Sequence, residues 1–270
     1  MTRSATTRST WDELAIHATG DGPGVLWLHG YTMRAQVWEP LWALLPGWRH
    51  LGLDLPWHGE SRDLRAGEEL GALADTVVQH LSAQGVNHVV ALSFGTVLAA
   101  EMAIRHPGAV ASWVLAAPAL ADMPHEPAVA QRYRDLATMY AARGPGPHLS
   151  QLWLSTPPAI FAGVNARPAV RERMRALIGQ HSWRELSGDG MRPLVARPQR
   201  ASELALVAGR LDVIVGERDL LTHRACARSL EVEAGARVHR IPDGGHLPLI
   251  EEPVVAAELI AGLLASSLSR

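Results

Sequence analysis

The 270-residue sequence contains no lysine, and all 25 of its basic residues are arginine. Without lysine the chain cannot form a Schiff base through a side-chain amine or bind phosphate with a P-loop lysine. It has a single cysteine, Cys226. One cysteine excludes an internal disulfide framework and a zinc site built from cysteines. These chemistries are excluded before any motif is considered.

An excess of charge and long apolar runs are also missing. The 25 basic and 27 acidic residues give a net charge of −2, so no overall basic field favours nucleic acid. The longest apolar candidate, residues 109–121, contains Ser112 and Pro118 and is too short to cross a membrane. The first ten residues lack the apolar segment of a secretory signal. We therefore expect a cytoplasmic protein that binds neither nucleic acid nor membrane.

What is present is an alternation of apolar runs and amphipathic segments, with 47% hydrophobic residues in total. The patterns predict strands at 24–28, 48–53, 86–92, 110–117, 211–215 and 237–241, with an antiparallel edge strand near 14–17. They predict helices at 37–45, 68–84, 94–105, 202–209 and 254–264. Strands apolar on both faces and separated by helices are typical of a parallel sheet covered on both sides.

A long insertion interrupts this alternation. The 92 residues from 119 to 210 exceed what one crossover helix needs, and they are rich in proline. Helical patterns occur at about 127–142 and 168–180. We predict a core formed by residues 1–121 and 199–270, with residues 122–198 as an inserted helical subdomain.

A serine follows the strand predicted at 86–92. In Ala91-Leu92-Ser93-Phe94-Gly95, small residues lie two positions before and two positions after the serine. Small side chains allow a sharp turn from strand into helix, which exposes the Ser93 Oγ above the sheet. The N–H groups at the start of the helix favour negative charge there. The pattern predicts a nucleophile, and a helix N-cap is the alternative use of this serine.

An acid and a histidine follow the last two predicted strands. Asp219 comes just after the first of them, and His246 lies in a glycine-containing loop after the second. The carboxyl ends of parallel strands form the edge where doubly wound sheets place their sites. Alone, Asp219 could be a turn residue and His246 an ordinary loop histidine, and Asp243 is a competing acid. With Ser93, they predict a nucleophile, an acid and a base in chain order.

This order of residues resembles that of the α/β-hydrolase superfamily. His29-Gly30-Tyr31 is similar to the family's oxyanion segment, and the loop 53–61 resembles its D-x-P-G-H-G-x-S motif. Gly245-His246-Leu247-Pro248 resembles its terminal G-H-x-P pattern. The insertion lies where the family carries a cap. The resemblance covers nearly the whole chain and implies an α/β-hydrolase fold, a mostly parallel doubly wound sheet with an inserted helical cap.

The resemblance also implies a mechanism. Ser93 would be the nucleophile, His246 the base and Asp219 the residue that orients the base. The backbone N–H groups of Tyr31 and Phe94 would form the oxyanion hole. No metal or organic cofactor is implied. The family also allows the acid to follow an earlier strand, where Asp122 is the candidate.

Substrate-binding residues are expected among the tryptophans. Trp57 occupies a position where the family usually has glycine, and Trp153 and Trp183 lie in the insertion. Residues 122–200 contain 11 arginines against six acids. A basic cap over the site favours an anionic small-molecule substrate, and solvated helix faces are the alternative explanation of the same composition.

These observations favour a serine hydrolase of a carboxylic ester, lactone or thioester. A C–C bond hydrolase, or a lyase or cyclase that uses the same three residues as a base, is the second hypothesis, because the menaquinone-pathway synthase of this fold carries similar motifs. His58, where C–C hydrolases usually show an aromatic residue, favours ester chemistry. A non-catalytic small-ligand receptor of this fold is the third hypothesis.

Overall fold

The computed structural model of the chain describes residues 6–188 and 191–266, which form an eight-stranded sheet. In chain order the strands are β1 (Thr7–Trp11), β2 (Leu14–Thr19), β3 (Gly24–Leu28), β4 (Arg49–Leu53), β5 (Val86–Leu92), β6 (Ser112–Ala116), β7 (Arg210–Gly216) and β8 (Arg237–Ile241). Their order in the sheet is β1-β2-β4-β3-β5-β6-β7-β8. The pairs β1–β2 and β2–β4 are antiparallel, and the other pairs are parallel.

Helices cover both faces of the sheet. They are α1 (Glu39–Trp42), α2 (Leu70–Leu81), α3 (Phe94–Arg105), α4 (Pro127–Arg143), α5 (Pro147–Leu154), α6 (Ala162–Asn165), α7 (Pro168–Ile178), α8 (Leu221–Ala234), α9 (Pro248–Glu251) and α10 (Pro253–Ala265). One apolar cluster lies between the sheet and α2, α3 and α8, and a second lies between its other face and α1, α10 and the insertion. The predicted parallel sheet with helices on both faces is confirmed.

Three elements differ from the prediction. The segment expected as a helix at 37–45 is a 3₁₀ turn, Ala35–Trp38, followed by the short α1. The crossover helix expected at 202–209 is a 3₁₀ helix, Ala201–Leu206. Strand β1 was not predicted because its side chains are mostly exposed and give no apolar pattern. The edge strand is therefore β1, and β2, which was expected at the edge, pairs with both β1 and β4.

The insertion leaves and re-enters the core at one place. The Ala121 N–H donates to the Gln199 side chain at 2.9 Å, and the Gln199 N–H donates to the Ala121 carbonyl at 3.2 Å. Helices α4 to α7 lie between these two residues. Inside the insertion, the buried Arg132 guanidinium donates to carbonyl groups at the end of α5 and beyond, including that of Ser155 at 3.1 Å. Its charge is therefore used to join α4 to the following segment.

Candidate active site

Ser93 lies at a strained turn between β5 and α3. Its backbone has φ +49° and ψ −119°, a conformation that L residues rarely adopt and that clusters at functional sites. The turn is held by the Ser93 N–H, which donates to the Ala116 carbonyl of β6 at 2.9 Å, and by the Thr96 N–H, which donates to the Ser93 carbonyl at 2.8 Å. The turn leaves the Ser93 Oγ within 2.9 Å of His246 Nε2.

The two small residues around Ser93 differ in whether a Cβ atom fits at their position. A Cβ on Gly95 would lie 2.6 Å from the carbonyl oxygens of both Leu28 and His29, so this position requires glycine because α3 packs against the end of β3. Ala91 is fully buried within β5 and carries its Cβ without such a conflict. This explains why the chain departs from G-x-S-x-G at the first position and keeps glycine at the second.

The structure brings Ser93, His246 and Asp219 together. The Ser93 Oγ lies 2.9 Å from His246 Nε2, and His246 Nδ1 lies 2.8 Å from Asp219 Oδ1. The three residues follow β5, β8 and β7, whose carboxyl ends lie at the same edge of the sheet. Asp219 and His246 are buried, at 4% exposure each. With Nδ1–H donating to Asp219, Nε2 of His246 is free to accept the serine proton.

The competing acid, Asp243, is not the partner of His246. It is exposed and pairs with Arg218 instead. Asp219 is further fixed by the Leu220 N–H, which donates to its Oδ1 at 2.7 Å. Its Oδ2 is buried and has no hydrogen-bond partner within the described parts of the chain. Asp122, the alternative acid, lines the neighbouring cavity and is exposed.

A second carboxylate holds the loop that carries His246. The Glu251 side chain accepts hydrogen bonds from the Gly245 N–H at 2.6 Å and from the Leu247 N–H at 3.0 Å, on either side of the histidine. Its carboxylate is 2% exposed, and burial raises its pKa. Glu251 was not predicted, although an acid at a fixed distance after G-H-x-P is a signal that the sequence contains.

A second histidine, also not predicted, lies against His246. The ring centroids of His223 and His246 are 4.3 Å apart, and His223 Nδ1 lies 3.0 Å from the Pro118 carbonyl. Burial lowers the pKa of His223 to about 4. His223 is therefore neutral near pH 7 and supports the imidazole of His246 without adding charge.

The predicted oxyanion donors lie beside the serine. Phe94 is the first residue of α3, so its N–H has no partner within the helix. Tyr31 belongs to the loop after β3, and its ring centroid is 6.4 Å from that of Phe94. A Cβ added at Gly30, next to Tyr31, would lie 3.5 Å from the Ser93 Cβ. The loop and the start of α3 thus converge on one point.

Two neutral histidines connect this loop to the loop that follows β4. His58 Nε2 accepts from the Thr32 N–H at 3.0 Å, and His29 Nε2 accepts from the Leu55 N–H at 3.0 Å. Each histidine therefore holds the loop to which the other belongs. Burial lowers the pKa of His29 to about 4 and that of His58 further below the usual range. Both rings stay uncharged, which the accepting nitrogens require.

A cavity of about 500 Å³ opens beside Ser93 and His246. Trp153 lines it, and its Nε1 donates to Thr32 Oγ1 at 2.8 Å. The other two tryptophans predicted to bind substrate are not among the lining residues. Trp57 adopts φ +65°, which explains the family's preference for glycine there, and its ring packs against the core. Trp183 is 1% exposed and packs behind the lining against His181, with 4.8 Å between ring centroids.

Most arginines of residues 122–200 do not line this cavity. Among the described residues that line the cavity, the arginine is Arg192, and it is exposed. Others are used elsewhere: Arg167 pairs with Glu252, and Arg173 donates to the Val37 carbonyl at 2.5 Å. The positive charge therefore mainly joins the insertion to itself and to the core.

A family model described as "Alpha/beta hydrolase family" matches residues 25–259. The chain belongs to the alpha/beta hydrolase family. The prediction made from the order of Ser93, Asp219 and His246 and from the neighbouring motifs is confirmed at this level. Among the described residues, no helix is long and apolar enough to cross a membrane.

The names of similar proteins indicate different reactions. The chain is 26% identical over 248 residues to a 2-succinyl-6-hydroxy-2,4-cyclohexadiene-1-carboxylate synthase of Enterobacter sp. (strain 638), covering 90% of this chain and 92% of the relative. It is 27% identical over 275 residues to a pimeloyl-[acyl-carrier protein] methyl ester esterase of Methylococcus capsulatus, covering 94% and 99%. The structure of a thermophilic esterase from Thermogutta terrifontis superposes with a TM-score of 0.75 at 21% identity, covering 98% and 99%.

Proposed function

We propose that the protein is a serine hydrolase that cleaves a carboxylic ester, lactone or thioester of a small to medium substrate through an acyl-enzyme on Ser93. The observation that carries this proposal is the continuous contact from the Ser93 Oγ through His246 to Asp219, at 2.9 and 2.8 Å. The hydrolase family and the relatives named as esterases support it.

In the first step, the Ser93 hydroxyl needs a base because serine is a weak nucleophile at its free pKa. His246 Nε2 accepts its proton as Oγ attacks the substrate carbonyl carbon. Asp219 holds the ring with Nδ1 protonated and stabilises the imidazolium that forms. His246 then returns the proton to the leaving oxygen or sulfur, and the acyl group remains on Ser93.

The negative charge that develops on the carbonyl oxygen needs donors that are already in place. The N–H groups of Tyr31 and Phe94 supply them, and one donor of this kind contributes about 3 kcal/mol to transition-state stabilisation. The reciprocal bonds made by His29 and His58 keep the Tyr31 loop in position. Water then attacks the acyl-enzyme with His246 as base, and the acid product leaves.

Turnover of p-nitrophenyl esters, lactones and acyl thioesters by the wild-type chain and Ser93→Ala tests this proposal. We expect hydrolysis of at least one class and loss of at least 1,000-fold in kcat for Ser93→Ala, on the order found when a triad member is removed. Hydrolysis that persists in Ser93→Ala would contradict the assignment. The melting temperature of the variant checks that its fold is kept.

A C–C bond hydrolase, or a lyase or cyclase, is the second candidate, and the relative named as a synthase favours it. In a lyase or cyclase, His246, oriented by Asp219, would remove a proton from the substrate. In a C–C hydrolase it would remove a proton from the water that attacks the carbonyl carbon, and neither route would transfer an acyl group to Ser93. Intact mass spectrometry of the wild-type chain after rapid acid quenching distinguishes the two. An added acyl mass on Ser93 supports ester cleavage, and turnover without such a species supports the second candidate.

A further inference from the structure

The loop that carries one of the two proposed oxyanion donors is held by the insertion as well as by the core. This loop, residues 29–34, follows β3, and we call it the oxyanion loop. The Tyr31 hydroxyl donates to Glu185 Oε1 at 2.6 Å, and Trp153 Nε1 donates to Thr32 Oγ1 at 2.8 Å. Glu185 and Trp153 belong to the insertion, and all four side chains are buried.

The core orients the peptide that contains the donor N–H. The Gly30 carbonyl shares this peptide with the Tyr31 N–H. It accepts hydrogen bonds from the Met33 N–H at 3.2 Å and from His29 Nδ1 at 2.9 Å. The peptide is trans, so its N–H points away from its carbonyl and therefore away from these two donors. A Cβ on Gly30 would lie 3.5 Å from the Ser93 Cβ, which places the peptide beside the nucleophile.

The next residue, Thr32, has a backbone conformation that needs support from its surroundings. Its φ is +65°, which is uncommon for a β-branched residue and persists only where neighbouring contacts fix it. Its N–H donates to His58 of the core, and its hydroxyl accepts from Trp153 and donates to the Tyr31 carbonyl at 2.6 Å. One contact from the core and one from the insertion therefore hold Thr32.

The Tyr31 side chain joins the oxyanion loop to the insertion through its hydroxyl and its ring. Burial and the neighbouring Glu185 carboxylate raise the pKa of Tyr31, so the hydroxyl stays protonated and donates. Glu185 Oε1 also lies 2.9 Å from His181 Nε2, which holds the carboxylate in place. Glu185 therefore fixes the far end of the tyrosine side chain. The Tyr31 ring has neighbouring rings in both parts of the chain, with centroids 5.3–6.4 Å away: His58 and Phe94 in the core, and Tyr133, Trp153, His181 and Trp183 in the insertion.

We propose that Glu185 is a positioning residue for the reaction, which holds the Tyr31 hydroxyl and thereby keeps the Tyr31 N–H directed at the oxyanion beside Ser93. The insertion then completes the oxyanion hole in addition to covering the cavity. This inference rests on the proposed function, because it assigns Glu185 a role in that mechanism through Tyr31. It predicts an effect on the rate of the chemical step and not on substrate binding.

Tyr31→Phe tests the proposal, because it removes the hydroxyl and keeps the ring and the backbone N–H. We expect kcat for p-nitrophenyl ester hydrolysis to fall by ~10- to 100-fold, since the donor is displaced and not lost. KM should stay within ~3-fold of the wild-type value, as expected for an interaction that acts in the transition state. Glu185→Leu, which provides no acceptor for the hydroxyl, should lower kcat by a similar factor.

The double variant Tyr31→Phe/Glu185→Leu separates a positioning role from two independent defects. If Glu185 acts through the Tyr31 hydroxyl, the double variant loses kcat by the same factor as Tyr31→Phe alone, because the second change removes an interaction that is already absent. Losses that multiply would contradict the proposal. Glu185→Gln should keep kcat within ~3-fold of the wild type, because its amide oxygen still accepts from the Tyr31 hydroxyl.

Asp63→Asn is the matched control for a contact between the core and the insertion. Asp63 pairs with Arg184, the neighbour of Glu185, at 2.9 Å, and it lies outside the oxyanion loop. This variant should keep its kcat. Hydrogen exchange of peptides that cover the oxyanion loop measures positioning without turnover. Exchange should be faster in Tyr31→Phe and Glu185→Leu and unchanged in Asp63→Asn, and melting temperatures check that each variant is folded.

A kcat of Tyr31→Phe within ~3-fold of the wild type would overturn the proposal, as would an equal loss in Asp63→Asn. Tyr31→Phe leaves Glu185 in place, so this comparison remains decisive if Glu185→Leu does not fold. Hydrolysis that depends on Ser93 and is unchanged in Tyr31→Phe would remove this inference and leave the serine-hydrolase proposal intact. Faster loop exchange in Tyr31→Phe, without ester hydrolysis by the wild-type chain, would remove the serine-hydrolase proposal and leave the attachment of the loop to the insertion.

Discussion

The loop that carries His246 depends on Glu251, and replacing this residue by glutamine tests whether a buried carboxylate positions the proposed base. In the wild-type chain the two carboxylate oxygens accept from the N–H groups of Gly245 and Leu247. The amide of Glu251→Gln provides one acceptor, so the other N–H faces an NH₂ group that cannot accept. The change in volume is negligible, so the variant removes one acceptor together with a negative charge that lies 4.0 Å from Arg167 Nη1.

The expected cost follows from burial. Hydrogen bonds to a charged group contribute about 1.5–3 kcal/mol, and a buried N–H left unsatisfied costs a similar amount. We expect the free energy of unfolding of Glu251→Gln to fall by roughly 2–4 kcal/mol. We also expect kcat to fall by at least ~10-fold under conditions where the variant is folded, because a small displacement of a catalytic group has a large effect on rate.

Urea unfolding and the kcat of ester hydrolysis measure the two effects of Glu251→Gln. Glu252→Gln is the control, because Glu252 is adjacent, partly exposed and paired with Arg167 on the surface. Both side chains of this pair are partly exposed to solvent, which limits its contribution to about 1 kcal/mol, and this variant should keep its kcat. If Glu251→Gln behaves like Glu252→Gln in both assays, the assignment of Glu251 as the residue that positions the His246 loop is refuted.

Two further predictions follow from the site and its buried histidines. Asp219→Asn should lower kcat by more than ~100-fold and leave the fold intact, because the asparagine favours the wrong tautomer of His246. Asp122→Asn should stay near wild type, and the opposite pattern would assign the acid to Asp122. His29 and His50 have pKa values of about 4 in the folded chain, because burial disfavours their charged form, against 6.5 in the unfolded chain. Their stabilising contribution is complete above pH 6.5 and falls by roughly 1.4 kcal/mol per pH unit per histidine between pH 6.5 and 4. Urea unfolding at pH 7.5 and 5.5 measures this effect, and equal unfolding free energies would contradict it.

The fold and the proximity of Ser93, Asp219 and His246 could be predicted from the sequence, because both depend on where the strands end. Ser93, Asp219 and His246 each follow an apolar run, and parallel strands bring their carboxyl ends to one edge. A sequence pattern is sufficient for that inference. The family motifs then indicate which loop approaches Ser93.

The contacts made by side chains from the insertion could not be predicted in this way. The Tyr31 hydroxyl donates to Glu185 Oε1 at 2.6 Å. The two residues are 154 positions apart in the sequence, and no periodicity connects them. Trp183, predicted to bind substrate, packs behind the cavity wall, because a large apolar residue is as suitable behind a wall as on it. Trp57 packs against the core and has a positive φ, and the identity of the residue does not reveal its backbone conformation.

The most direct test of the central claim is labelling with a fluorophosphonate, followed by peptide mapping. The Ser93 Oγ, activated by His246 and beside two backbone donors, should be the modified atom. We expect one label per chain on the peptide that contains Ser93, with no label on Ser93→Ala. Labelling of Asp219→Asn should be at least ~100-fold slower, because the base is no longer held in the required tautomer. A label on another residue, or labelling that persists in Ser93→Ala, would contradict the assignment of Ser93 as the nucleophile.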